Sequence, residues 1–287
     1  MMKFIKSFKD IIDKYDVFII DQWGVMHDGI YGYKHAIKSI DYLKTKNKKL
    51  IIVSNSSKRK ESSIKKLPSL GFRKDNFENL ITSGEMIWKT ISLSLDKYGK
   101  GLKKCFHIYD DTKEDGIEFR NNLTNIDFVE NINEADFILA CTPFAKSQPL
   151  DYVPILNIAY EKNMLMFCAN PDFETIDKND NNIFCIGTIS EMYKFIGGNV
   201  IIKGKPSKDI YIEATNKLQN INKTKMLAIG DSIFHDIDGA NKFGIDSLLI
   251  ASGIHKEYFA DKTSLENKDN KLFKYNIIPT YLSYKFS

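Results

Sequence analysis

The sequence predicts an α/β protein: a Rossmann-like, doubly wound parallel sheet interrupted by a second α/β unit. Three observations predict it. Strand-like and helix-like patterns alternate through the first third of the 287 residues and again through the last third. The strand patterns are apolar throughout rather than alternating, which marks strands covered on both faces. Two of them, Val17-Phe18-Ile19-Ile20 and Met226-Leu227-Ala228-Ile229-Gly230, run directly into an aspartate, Asp21 and Asp231. An unpaired buried charge is costly, so packing alone gives little reason for a carboxylate at the end of a buried strand.

The elements follow in order. After the Asp21 strand, Ala36, Ile37, Ile40 and Leu43 fall at helical spacing. Lys49 to Ser54 reads as a second strand, apolar and β-branched. Ile64, Leu67 and Leu70 mark another helix, closed by Gly71. This βαβα order argues for a parallel sheet. The middle of the chain has strands of its own at Cys105–Tyr109, Phe137–Ala140 and Met164–Ala169. In the last third, Val200–Ile202 is a short strand, and a helix follows Pro206-Ser207 with Ser207 as its cap. Met226–Ile229 is a strand, Ile237–Phe243 a helix and Ser247–Ala251 a strand. The expected organisation is a discontinuous core of residues 1–83 and 196–287 with residues 84–195 inserted as a separate domain.

A hydrophobic content of 43% with 27% charged residues fits a folded, soluble protein. The net charge is +4, with lysines spread along the chain and acids among them, which argues against a nucleic-acid partner. No apolar run reaches the length of a membrane span, and the N-terminus lacks the apolar core of a signal peptide, so no membrane partner and a cytoplasmic location are expected. Cys105, Cys141, Cys168 and Cys185 form no CxxC pair, and three of them, in or beside apolar runs, read as buried small hydrophobes. The run Lys58-Arg59-Lys60 is either a solvated helix start or a funnel for an anionic substrate.

Four strand-end signals carry the chemistry: Asp21; Ser54-Asn55-Ser56; Lys205 in Lys203-Gly204-Lys205-Pro206-Ser207; and Asp231 with Asp236. A carboxylate can attack phosphorus. A hydroxyl and amides after a strand can hold phosphate oxygens. An ammonium offsets transition-state charge. Two acids delivered to one sheet edge suit a hard cation such as Mg²⁺. Open α/β sheets bind ligands at this edge.

With these residues the chain resembles the haloacid dehalogenase superfamily. Val53-Ser54-Asn55-Ser56-Ser57, Thr82-Ser83-Gly84, Ala169-Asn170-Pro171-Asp172, Gly204-Lys205-Pro206-Ser207 and Asp236-Ile237-Asp238-Gly239-Ala240 resemble its class IIA, NagD-like branch. The resemblance implies a C2-type cap for the insert, closing over the substrate. It implies a Mg²⁺-dependent phosphatase acting on a small phosphorylated metabolite through an aspartyl phosphate. Asp21 would be the nucleophile. Ser54, Asn55, Ser56 and Lys205 would hold the phosphoryl group. Asp21, the Trp23 carbonyl and Asp231 would hold the metal. Asp236 either caps the following helix or supports Lys205. Asn170 and Asp172 either line the cleft or only form a turn with Pro171. Self-association through the cap is left open.

One position departs from the family's pattern. Two residues after the nucleophile the family carries a second Asp, which protonates the leaving group and then activates water. Trp23 stands there, and an indole carries no such proton. Loss of a general acid costs about 10²- to 10⁴-fold in rate, so weak turnover is expected. His27 and Asp28 are read either as substitute proton carriers or as caps of the turn. The rival readings are a binding protein for a phosphometabolite with little turnover, and a hydrolase of carbon–halogen or carbon–phosphorus bonds.

Overall fold

The computed structural model describes residues 2–176, 182–218, 222–259 and 276–287. In chain order its strands are β1 (Lys3–Phe4), β2 (Val17–Ile20), β3 (Lys49–Ser54), β4 (Asn79–Thr82), β5 (Lys104–Ile108), β6 (Asp127–Val129) and β7 (Phe137–Ala140). They continue with β8 (Leu165–Cys168), β9 (Glu174–Ile176), β10 (Asn182–Phe184), β11 (Asn199–Ile202), β12 (Met226–Gly230), β13 (Asp246–Ile250) and β14 (Tyr281–Ser283). The α-helices are α1 (Lys34–Thr45), α2 (Lys60–Lys66), α3 (Ser83–Ser94), α4 (Glu114–Arg120), α5 (Val153–Glu161), α6 (Ile186–Phe195), α7 (Lys208–Thr215) and α8 (Asp238–Phe243).

The chain divides into two compact units. One comprises Met1–Ser54, Ile64–Ile81 and Lys205–Ser287; the other comprises Asn55–Ser63 and Thr82–Gly204. The first contains a sheet of order β1-β14-β13-β12-β2-β3-β4. β12 lies at its centre, and β2 runs beside it, parallel to β12 on one side and β3 on the other. The second unit contains a parallel sheet of order β11-β8-β7-β5-β6 and a small antiparallel pair, β9 and β10.

Residue alternation explains why the strand patterns are apolar throughout. Successive strand residues point to opposite faces. In β13, Leu248 and Ile250 join one core while Leu249 joins another. In β7, Ile138 and Ala140 face one cluster and Phe137 and Leu139 the other. Both faces of each sheet are therefore covered. The Ser207 hydroxyl accepts the Asp209 N–H at 3.3 Å and caps α7, as its position ahead of the helix predicts. No helix among the described residues is long and apolar enough to cross a membrane.

Two sequence readings need correction. The return to the first unit was expected at residue 196, with Val200–Ile202 among its strands. Instead β11 pairs with β8, residue for residue from Asn199–Leu165 to Ile202–Cys168, and the first unit resumes at Lys205. An Asn-Val-Ile-Ile run suits either sheet; pairing decides which one it joins. The strand β4, Asn79-Leu80-Ile81-Thr82, is absent from the expected elements; only Leu80 and Ile81 are apolar in it, too short a run to mark a strand.

Candidate active site

The first unit gathers its acids through strand register. Ile20 of β2 pairs with Ile229 of β12, and the Asp21 N–H donates to the Ile229 carbonyl at 2.9 Å. Asp21 therefore leaves the sheet beside Gly230, and Asp231 follows one residue later. After β12 the chain makes a π-helical turn over Ile233–Ile237, which carries Asp236 back toward the strand. Such turns are rare and frequent at functional sites. Carboxylate oxygens of Asp21, Asp231 and Asp236 all lie within 4.8 Å of one another.

Lys205 enters this cluster. Its Nζ forms buried ion pairs with Asp21 Oδ1 and, at 2.8 Å, with Asp236 Oδ1. The second Asp236 oxygen accepts the Ser232 N–H at 3.1 Å, which fixes the carboxylate that holds the lysine. Ser54, at the end of β3, is also buried and belongs to the same unit.

Asp231 is enclosed. A Cβ on Gly24 would lie 2.0 Å from its Oδ2, and one on Gly253 would lie 2.1 Å from the same atom. Gly24 also has φ +76°, a conformation open mainly to glycine. The Ile254 N–H donates to Oδ2 at 2.9 Å. Burial first, then the charges of Asp21 and Asp236, push the Asp231 carboxyl well above the usual range. Three buried carboxylates face one ammonium, and all the donors are hard oxygens. That donor set fits a divalent cation of the Mg²⁺ type.

The loop after Asp21 contains the turn hydrogen bonds of one of the two readings of His27 and Asp28. The Gly29 N–H donates to His27 Nδ1 at 3.0 Å. The Ile30 and Tyr31 N–H groups donate to Asp28 Oδ1 at 2.8 and 2.7 Å. Burial alone would raise the Asp28 carboxyl, but the amides of Tyr31 and Ile30 outweigh it and hold the group below its ordinary value. Both side chains cap their turn. Trp23 is half-exposed, and its ring meets the His27 ring edge-on with centroids 5.8 Å apart.

In the second unit, Asn55 Nδ2 donates to Asp172 Oδ1 at 2.8 Å, and the Ser83 hydroxyl donates to Asn55 Oδ1 at 3.2 Å. Asn170 Oδ1 accepts the Asp172 N–H at 2.9 Å, a turn around Pro171, which is one of the two readings of these residues. Ser56 Oγ accepts the Lys58 N–H at 3.2 Å. The run Lys58-Arg59-Lys60 does start a helix, α2 beginning at Lys60, but the side chains of Lys58 and Arg59 are paired rather than solvated. Lys58 pairs with Asp115 at 2.7 Å, and Arg59 pairs with Glu85 at 2.8 Å while lying over the Trp88 ring.

Sequence reasoning missed Gly253, Ile254 and His255. His255 Nε2 accepts the Ile233 N–H at 3.1 Å and so ties the loop after β13 to the π-helical turn. Burial, chiefly, lowers His255 to about 4, which keeps the imidazole neutral in that role. The available signal was Leu249-Ile250-Ala251-Ser252-Gly253, another apolar strand running into a glycine turn.

Known proteins share this fold. The family described as haloacid dehalogenase-like hydrolase matches residues 18–121, and a second HAD-hydrolase-like family matches residues 202–272. A 4-nitrophenylphosphatase of Schizosaccharomyces pombe is 26% identical over 268 residues, covering 88% of this chain and 89% of that protein. The crystal structure of a haloacid dehalogenase-like family hydrolase from Brucella suis superposes with TM-score 0.83 at 25% identity, covering 99% of this chain and all of that one (100%). A possible sugar phosphatase of the HAD superfamily from Cytophaga hutchinsonii gives TM-score 0.78 at 22% identity, covering 100% of this chain and 99% of that one. The chain belongs to the haloacid dehalogenase-like hydrolases.

The raised Asp231 carboxyl has a consequence for stability. Its unfolded value is about 3.9, and the folded value lies above it. A group shifted upward favours folding while protonated, and that contribution is lost as pH rises through the folded value. In chelator-treated protein, Asp231→Asn is therefore expected to raise Tm at pH 7. The gain should shrink toward zero as pH falls to about 4. Thermal melts of both proteins across that range check it; a gain independent of pH would assign the effect to packing.

Proposed function

We propose that this haloacid dehalogenase-like hydrolase is a Mg²⁺-dependent phosphatase of small phosphorylated metabolites, acting through a phosphorylated Asp21. The observation that supports it most is Lys205, buried between Asp21 and Asp236 in a cluster that Asp231 completes. A surface lysine has no reason to enter such a site, whereas a phosphoryl group in transfer needs a fixed positive charge beside its nucleophile. The names of the relatives, a 4-nitrophenylphosphatase and a possible sugar phosphatase, point the same way.

In this reading an Asp21 oxygen forms a bond to phosphorus as the bond to the leaving oxygen breaks. Lys205 offsets charge on the phosphoryl oxygens, and Asp236 holds Lys205 in place. The Ser54 hydroxyl donates to one phosphoryl oxygen. Water then attacks the phosphorylated Asp21 and releases inorganic phosphate. Asp21, Asp231 and the Trp23 carbonyl would hold Mg²⁺, which when bound supplies further neutralisation of the transferring group. The Trp23 side chain contributes no proton, so turnover depends on how readily the leaving group departs. That same substitution favours the second reading, a phosphometabolite-binding protein with little turnover.

A screen of phosphorylated metabolites with Mg²⁺, measuring phosphate release and binding together, separates the two. Under the phosphatase reading Asp21→Asn abolishes every turnover found; turnover that survives it rules Asp21 out as nucleophile. Asp231→Asn is expected to weaken Mg²⁺ binding by tenfold or more (about 1.4 kcal/mol), read by calorimetry; unchanged affinity would remove Asp231 from the ligand set. Lys205→Met is expected to lower vanadate affinity while roughly keeping side-chain volume. Equal vanadate binding by both proteins would place Lys205 outside the phosphoryl site.

A further inference from the structure

The residue that departs from the family's pattern is held in an unusual way. Trp23 is 43% exposed, yet its ring is clamped. A Cβ on Gly29 would lie 2.3 Å from the indole Cη2, so the Gly29 backbone packs directly against the ring. The His27 ring abuts it at 80°, and His27 is itself fixed by the Gly29 N–H. Next in the loop, Ile30 and Tyr31 are also exposed. The residue after Trp23, Gly24, packs on the Asp231 carboxylate. A rigid, half-exposed indole therefore stands two residues from Asp21 and one from a contact to Asp231. Exposed large apolar groups are informative when they cluster, and a ring already immobilised loses little freedom on binding a partner.

We propose that Trp23 is a specificity-determining residue: its indole stacks on the leaving group, and the substrates are phosphate esters of flat, conjugated hydroxyl compounds, aryl or enol. Two independent observations converge on that class. The exposed indole face favours a flat π system. The nearest candidates for a leaving-group acid, His27 and Asp28, each have one acceptor atom, Nδ1 and Oδ1, turned to the loop's own amides. In the transfer step an Asp21 oxygen bonds to phosphorus, the ester P–O bond breaks, and the electron pair leaves with the oxygen. A conjugated leaving group departs as its phenolate or enolate anion and takes its proton later from solvent. This rests on the phosphatase reading above.

The test compares phenyl phosphate with a fluorinated alkyl phosphate of matched leaving-group acidity, in wild type, Trp23→Leu and Trp23→Phe, with Mg²⁺ present. Leucine keeps apolar bulk and removes the ring; phenylalanine restores a ring. The aryl-to-alkyl ratio of kcat/KM is expected to fall about threefold to tenfold in Trp23→Leu and to recover in Trp23→Phe. A second readout needs no turnover. The chain has two tryptophans, Trp23 and Trp88. Quenching of the intrinsic fluorescence by 4-nitrophenylphosphonate is expected in wild type and should be lost in Trp23→Phe. A ratio that does not move across the three proteins, or quenching that persists without Trp23, overturns the proposal while Asp21-dependent hydrolysis of both esters leaves the phosphatase reading standing. Absence of Asp21-dependent hydrolysis of either ester overturns both.

Discussion

The first unit is organised around one unfavourable fact: three carboxylates and a single ammonium are buried together. Lys205 offsets part of the charge through its pairs with Asp21 and Asp236. Among the described residues no ion pair to Asp231 is seen; the Ile254 N–H donates to it and the Lys205 charge offsets it in part, yet burial and its two acidic neighbours push its carboxyl upward. Burying an ion pair returns little net stability even when its geometry is good. A third acid therefore lowers the stability of the metal-free fold, a cost that the proposed cation would offset. Stability has been traded for a site, as is common where function demands it.

The backbone holds this arrangement in place. The parallel register delivers Asp21 and Asp231 side by side, so no side-chain flexibility is needed to bring them together. Gly24 and Gly253 close on Asp231 from two loops, and neither position has room for a Cβ. The π-helical turn returns Asp236 to Lys205, and its Ser232 amide fixes the carboxylate. His255 then joins the β13 loop to that turn. Each polar group thus has an orienting partner, and preorganisation of this kind gives electrostatic catalysis its strength.

The acids were legible in the sequence because each interrupts an apolar strand. Asp21 after Val-Phe-Ile-Ile and Asp231 after Met-Leu-Ala-Ile-Gly stand out against runs that have no other charge. Lys205 was legible from its Gly-Lys-Pro setting, though not the sheet of the strand before it. The sequence of β11 suits either sheet, and only its pairing with β8 decides. Lys58-Arg59-Lys60 was illegible for a related reason: the partners of Lys58 and Arg59, Asp115 and Glu85, are remote in sequence. His27 and Asp28 had two readings because a turn cap and a proton carrier use the same side chains. Hydrogen bonds to amides two and three residues away show the cap.

Magnitudes decide what Trp23 can and cannot do. A general acid at its position would contribute about 10²- to 10⁴-fold, which is about 3 to 5 kcal/mol of barrier. Stacking a ring on an indole contributes about 0.5 to 1.5 kcal/mol beyond simple burial. The second term does not replace the first. Under the proposed phosphatase reading, an ester whose leaving oxygen must be protonated would lose more than it gains. The balance changes only where no proton is required, because the lost term then falls toward zero while the stacking term remains. Conjugated leaving groups meet both conditions at once: delocalisation stabilises the departing anion, and the same planarity suits the indole. A tryptophan clamped by Gly29 and His27 and left half-exposed is in keeping with that balance, whereas a tryptophan serving only to fill space would be buried.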